Sequence, residues 1–152
     1  MAISYFKKAY SRLEAEDVES QIWEVEEYPK MFNDEDNVEL FKEVKEEELN
    51  QTIKSMKGDK TLSPDGWTVE FFAHFIDIFQ EDLLQIVEES RMKGYVHPHL
   101  NSTYISLIPK KSEAETFPDY RTISLCNLTY KIISKIIANK LKVSLSKFIS
   151  PE

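Results

Sequence analysis

The run from Tyr104 to Asn127, YISLIPKKSEAETFPDYRTISLCN, constrains the fold more than any other part of the chain. Two short apolar stretches, Tyr104–Pro109 and Tyr120–Cys126, flank the polar connection Lys110–Asp119. Apolar stretches of that length, bounded by turn formers, predict two strands joined as an antiparallel hairpin. A ten-residue connection is long for a hairpin turn and suits a functional loop. Directly after it, Asn127 is expected to cap a long helix, LTYKIISKIIANKLKVSLSKFI. Its buried stripe is Ile132, Ile133, Ile136, Ile137, Leu141, Leu145 and Phe148, with Lys131, Lys135, Lys140, Lys142 and Lys147 largely off that stripe.

The chain ahead of the hairpin reads as helical. Leu49, Ile53 and Met56 fall at helical spacing, with Val44 and Phe41 one and two turns earlier, so one helix is expected to run to about Lys57-Gly58. GDKTLSPDGW (58–67) is a breaker-rich loop whose structural turn is Pro64, Asp65 and Gly66. A second helix, WTVEFFAHFIDIF, carries Val69, Phe72, Phe75, Ile76 and Phe79 on one stripe. A third, EDLLQIVEESRMKG, opens on acids and closes on Arg91, Lys93 and Gly94, which suits the helix dipole and a glycine C-cap. Residues 95–103 form a connector. The first 35 residues are weakly organised, with apolar clusters at Tyr5, Phe6 and Tyr10 and at Ile22, Trp23 and Val25. Between these clusters EAEDVES reads as exposed helix or linker, and NDEDN (33–37) as a loop with a helix cap. The fold class is therefore α+β, a mostly helical body with one antiparallel β-hairpin. An amphipathic connector spans 1–37 and the main domain 38–152.

At 152 residues the chain is long enough to bury a core. Its three glycines argue against a glycine-rich phosphate loop, and no apolar run approaches the ~20 residues of a membrane span. The start, MAISYFKKAYSRLEAED, does not have the form of a secretory signal. Lone Cys126, among Ile123, Leu125 and Leu128, reads as a buried thiol in a reducing, intracellular compartment, and the sequence does not choose between nucleus and cytoplasm. Neither a His97/His99 metal site nor a catalytic triad is supported by spacing. Trp67, Phe71, Phe72, Phe75 and Phe79 read as core.

The charge is uneven. Residues 1–89 carry a balance of −14 and residues 90–152 one of +6, giving −8 in all. The basic half contains the hairpin, where Lys110 and Lys111 end one strand and Arg121 begins the other. Antiparallel pairing makes those ends neighbours. Lysine offers a point charge and arginine a two-pronged fork to phosphate oxygens, so the mouth has the chemistry of a phosphate site, although a merely soluble hairpin end has the same composition.

Three blocks in order, SPDGW (63–67), STYISLIPKK (102–111) and DYRTISLCNLTYKIISKIIANKL (119–141), resemble the opening blocks of reverse transcriptases from LINE-type, non-LTR retrotransposons, especially those of plants. The resemblance covers roughly residues 40–150. It departs from the usual pattern at Ser63 and Thr122, where the family has glycine and proline. It implies that this region is the fingers of a right-hand polymerase, with Lys110 and Arg121 on the phosphates of a deoxynucleoside triphosphate. Lys111, Lys131 and Lys135 become contacts to the phosphate backbone of an RNA template and DNA primer, blind to sequence and sensitive to salt. The parent activity is RNA-directed DNA synthesis with Mg2+. The family's metal-binding aspartates lie beyond the matched blocks, so no catalytic residue, metal ligand or cofactor is assigned in this stretch, and the isolated chain is expected not to polymerise DNA. The alternatives are a non-catalytic module whose acidic half binds a basic protein, or a relic without a role.

Overall fold

The computed structural model describes residues 2–10, 30, 32–56 and 64–148. The Ile22–Trp23–Val25 cluster, the EAEDVES linker, the helix end at Lys57-Gly58, Ser63 and Ile149 lie outside the described residues. The elements run α1 (Ala2–Tyr10), α2 (Asp34–Leu40), α3 (Glu46–Ser55), α4 (Val69–His74), α5 (Ile76–Lys93), β1 (Thr103–Pro109), β2 (Tyr120–Cys126) and α6 (Leu128–Leu145), with a 3-10 turn at Phe117–Asp119. The expected α+β class, helices with one antiparallel two-stranded ribbon, is what folds.

The chain divides into two compact units. The larger takes in Phe32–Ser106 and the chain from Ile123 onward. Its core is Val44, Leu49, Ile53, Val69, Leu83, Val87, Leu128, Ile132, Ile133 and Ile136. Helix α6 packs on α2 and α3, and α3 packs on α4 and α5. Local chemistry sets the helix ends. Asn33 and Asp36 form a reciprocal capping box at the start of α2: the Asp36 N–H donates to Asn33 Oδ1 at 2.7 Å and the Asn33 N–H to Asp36 Oδ2 at 3.2 Å. Thr68 Oγ1 accepts the Phe71 N–H at 3.2 Å to start α4. Gly94 closes α5 in the left-handed region, φ 61°, as its position after Arg91 and Lys93 predicted.

Two helical boundaries and one cap differ from expectation. The helix read from Phe41 through Met56 is two helices, because Phe41 caps α2 and Val44 lies in the connector to α3. The backbone there is claimed by side chains of α5. Glu88 Oε1 accepts the Val44 N–H at 2.7 Å, and Arg91 Nη1 donates to the Phe41 carbonyl at 2.9 Å. The second break falls at Phe75 (φ −106°, ψ 19°) instead of between Phe79 and Glu81. Glu81 and Asp82 had the look of a first turn but are an exposed stretch of α5. Third, α6 is capped by Asn127 in position only. Its Nδ2 donates to the His99 carbonyl at 2.9 Å, and Oδ1 is buried without a partner. On α6 Ile137 is 53% exposed, so the stripe buried on this helix is narrower than its apolar pattern, and Phe148, expected on the same stripe, lies past the helix end at Leu145 and is 48% exposed. Cys126 is half-buried, its Sγ 3.5 Å from Thr103 Oγ1.

The smaller unit joins the N-terminal segment to the ribbon tip Leu107–Thr122. Two strands of seven residues and a Lys110 N–H to Asp119 carbonyl bond of 2.8 Å set the register, with Thr103 opposite Cys126 and Pro109 opposite Tyr120. Helix α1 docks on the tip through rings. Tyr5 stacks on Phe117 at 5.0 Å, Phe6 meets the same ring edge-on at 5.7 Å, and Tyr10 donates to Thr122 Oγ1 at 2.7 Å. The hydroxyl of Thr122, where the resembled family has proline, is thus used to hold α1.

Candidate functional site

The register decides which mouth residues come together. Lys110 sits opposite Asp119, and Arg121 lies two residues further along the chain. Lys110 follows β1 and Asp119 closes the 3-10 turn ahead of β2, so the register brings Lys110 and Arg121 to the same end of the ribbon. Arg121 directly opposes Ile108. It is exposed, and among the described residues none bonds its guanidinium. The Lys110 ammonium donates to the Pro118 carbonyl at 2.7 Å. A lysine has three donors, so two remain for a ligand.

Lys111 behaves differently from its neighbour. Its Nζ is 2.9 Å from Asp119 Oδ1 in an ion pair. The other Asp119 oxygen accepts from the Thr116 N–H (3.0 Å), the Thr116 hydroxyl (2.8 Å) and the Glu115 N–H (3.3 Å). Lys111 and then these donors hold the Asp119 carboxyl well below the usual carboxylate range, against a smaller opposing effect of burial. The mouth therefore presents two available cations, with the third neutralised by the residue that shapes the loop. Sequence reasoning gave Asp119 no such role. The signal was present as Thr116-Phe117-Pro118-Asp119, a capping-box spacing with proline in the first turn.

The other named residues fall elsewhere. Lys131 and Lys135 are half-buried positions of α6, in the larger unit. Pro64 and Asp65 form the expected turn, Gly66 has φ +77°, and Asp65 Oδ1 accepts the Trp67 N–H at 3.2 Å. The His97 and His99 rings stack at 5.1 Å, and among the described residues no three His, Cys, Asp or Glu side chains gather as metal ligands. No helix among the described residues is long and apolar enough to cross a membrane.

Comparison with known proteins gives one clear similarity. A 106-residue stretch, 70% of the chain, is 33% identical to the Transposon TX1 uncharacterized 149 kDa protein of Xenopus laevis. The match spans 8% of that protein's length. No protein-family model matches the chain. The similarity supports an origin in a transposable element.

Proposed function

We propose that this chain is a fingers-type piece of a LINE-type reverse transcriptase, and that its ribbon mouth binds the phosphates of a deoxynucleoside triphosphate through Lys110 and Arg121. What supports the reading is the ribbon register, which brings Lys110 and Arg121 to the same end of the hairpin, beside a loop held by Asp119. Arg121 supplies a planar fork and Lys110 a point charge, a pairing suited to a phosphoryl group. The transposon relative supports the element origin.

In the parent enzyme, phosphoryl transfer needs Mg2+ held by aspartates. The residues at this mouth are not suited to holding that metal. Neither β1 nor β2 contains an aspartate, and the Asp119 carboxylate is committed to Lys111, Thr116 and Glu115. No step of polymerisation is assigned to this stretch. Its part is to hold phosphate.

Titration of a fluorescent deoxynucleoside triphosphate into the wild type and Arg121→Ala tests the reading. Loss of a charge-assisted contact weakens binding by ~1.5–3 kcal/mol. Equal affinities refute the role of Arg121.

A further inference from the structure

The acidic half of the chain carries a surface that the phosphate reading leaves unused. Between Pro64 and Ser90 there are seven carboxylates and no lysine or arginine. The same stretch was expected to bury its aromatic rings, and it does so only in part. Phe71 is the hub of a ring cluster, 4.4 Å from Trp67, 4.9 Å from Phe75 and 5.8 Å from Phe79. Phe71 and Phe79 are half-buried, whereas Trp67 is 45%, Phe75 39% and Ile78 69% exposed. Glu88 and Glu89 are paired with Arg91 and Lys93. Glu70, Asp77, Glu81 and Asp82 are exposed, and among the described residues none of them is in an ion pair. Along these helices Glu70 precedes Phe71, Asp77 precedes Ile78, and Glu81 and Asp82 lie one helical turn beyond Ile78.

We infer that this face docks an arginine- or lysine-rich segment of a protein partner. Three occupants compete for an exposed aromatic face, and charge separates them. A nucleic acid would bring phosphates against four unpaired carboxylates. A second copy meeting the same face would press one set of carboxylates on another. A cationic segment lays its aliphatic stems on Ile78 and the ring edges, sets its charged heads over aromatic faces, and reaches the carboxylates beyond.

The test is fluorescence anisotropy with a labelled peptide of alternating arginine and leucine, paired with amide-shift mapping of the bound protein. The expected result is shifts confined to the neighbourhood of residues 65–82. Phe75→Leu and Ile78→Ser should each weaken binding about two- to fivefold, the former by removing a ring that can face a cation. Asp77→Asn should weaken it and shallow its salt dependence. Ile78 is too exposed for its substitution to unfold the chain, so a null result there counts. Glu47→Gln, an acid in the first turn of α3, should change nothing. The inference is overturned if Glu47→Gln weakens binding as much as Asp77→Asn, which would mean diffuse charge attraction. It is also overturned if Phe75→Leu and Ile78→Ser bind like the wild type, if a single-stranded oligonucleotide shifts the same amides, or if those amides shift with protein concentration alone. None of these outcomes bears on Lys110 or Arg121.

Discussion

Replacing Glu88 with alanine should cost more than any other single charge removal on α5, and the reason lies in what its carboxylate holds. Oε1 accepts the Val44 N–H at 2.7 Å, and both oxygens accept from Arg91 Nε, at 3.0 and 2.9 Å. Arg91 in turn donates through Nη1 to the Phe41 carbonyl at 2.9 Å. Val44 is 3% exposed, so its N–H has no easy recourse to water once Glu88 is gone. An orphaned buried donor costs ~1–3 kcal/mol. Breaking a fully buried ion pair costs ~3–5 kcal/mol, but the pair's side chains are 18% and 29% exposed, so only part of that applies. The expected loss is ~2–3 kcal/mol, or roughly 5–10 °C in Tm at about 2–4 °C per kcal/mol for a chain of this size. Glu89→Ala is the control. Its partner Lys93 and Glu89 itself are 61% and 57% exposed, and the pair is worth at most ~0.5 kcal/mol. Thermal unfolding of both variants, followed by circular dichroism, decides the matter. If Glu88→Ala and Glu89→Ala lose the same stability, the connector does not depend on Glu88.

The same carboxylate adds an acid dependence. Burial pushes Glu88 upward, but the bonds from Arg91 and the Val44 N–H outweigh it and leave its pKa lowered. A depressed carboxylate stabilises the fold above its unfolded pKa, ~4.3, and that stability drains away as pH falls through the folded value. Glu88→Ala should therefore flatten the acid limb of the stability profile as well as lower its plateau.

The remaining predictions concern the larger unit. The Lys147 ammonium and then the Asn33 N–H hold Asp36 below its usual range. Stability from this group is present above pH ~4 and is lost on acidification, so Asp36→Asn should show less acid destabilisation than wild type in urea melts at falling pH. Leu49 is fully buried, and Leu49→Ala should lower stability by ~2–5 kcal/mol, read as a shifted urea midpoint with unchanged slope. Asn127→Ala separates two readings of one residue. A side-chain cap would fray the first turn of α6, whereas the bond to the His99 carbonyl predicts faster hydrogen exchange in residues 97–101 and little change at Leu128–Tyr130.

How much of this was legible in the sequence depends on whether a residue's partner is near in sequence. The ribbon's second strand and the Gly94 cap match expectation because the signals are local: a short run of aromatic and branched residues bounded by Pro118-Asp119 and Asn127 for one, a glycine after two basic residues for the other. Phe41, Val44 and Leu49 keep helical spacing, yet the helix is interrupted between them, because the Phe41 carbonyl and the Val44 N–H are taken by Arg91 and Glu88, far along the chain. Periodicity records which side chains are apolar; it cannot record where a backbone amide finds its acceptor. Asn127 fails for the same reason in reverse. The residue type and position are those of a cap, but the His99 carbonyl competes for its side chain and wins. The ribbon mouth shows both cases at once. That Lys110 and Arg121 come to the same end of the ribbon follows from strand pairing and register, which the sequence carries. That Lys111 is withdrawn from the set follows from the folded loop, where the Thr116 cap turns the Asp119 carboxylate back toward it. Three cations close together in the sequence are thus not equivalent in the fold: Lys111 is held by Asp119, whereas Lys110 and Arg121 are not paired with a carboxylate among the described residues.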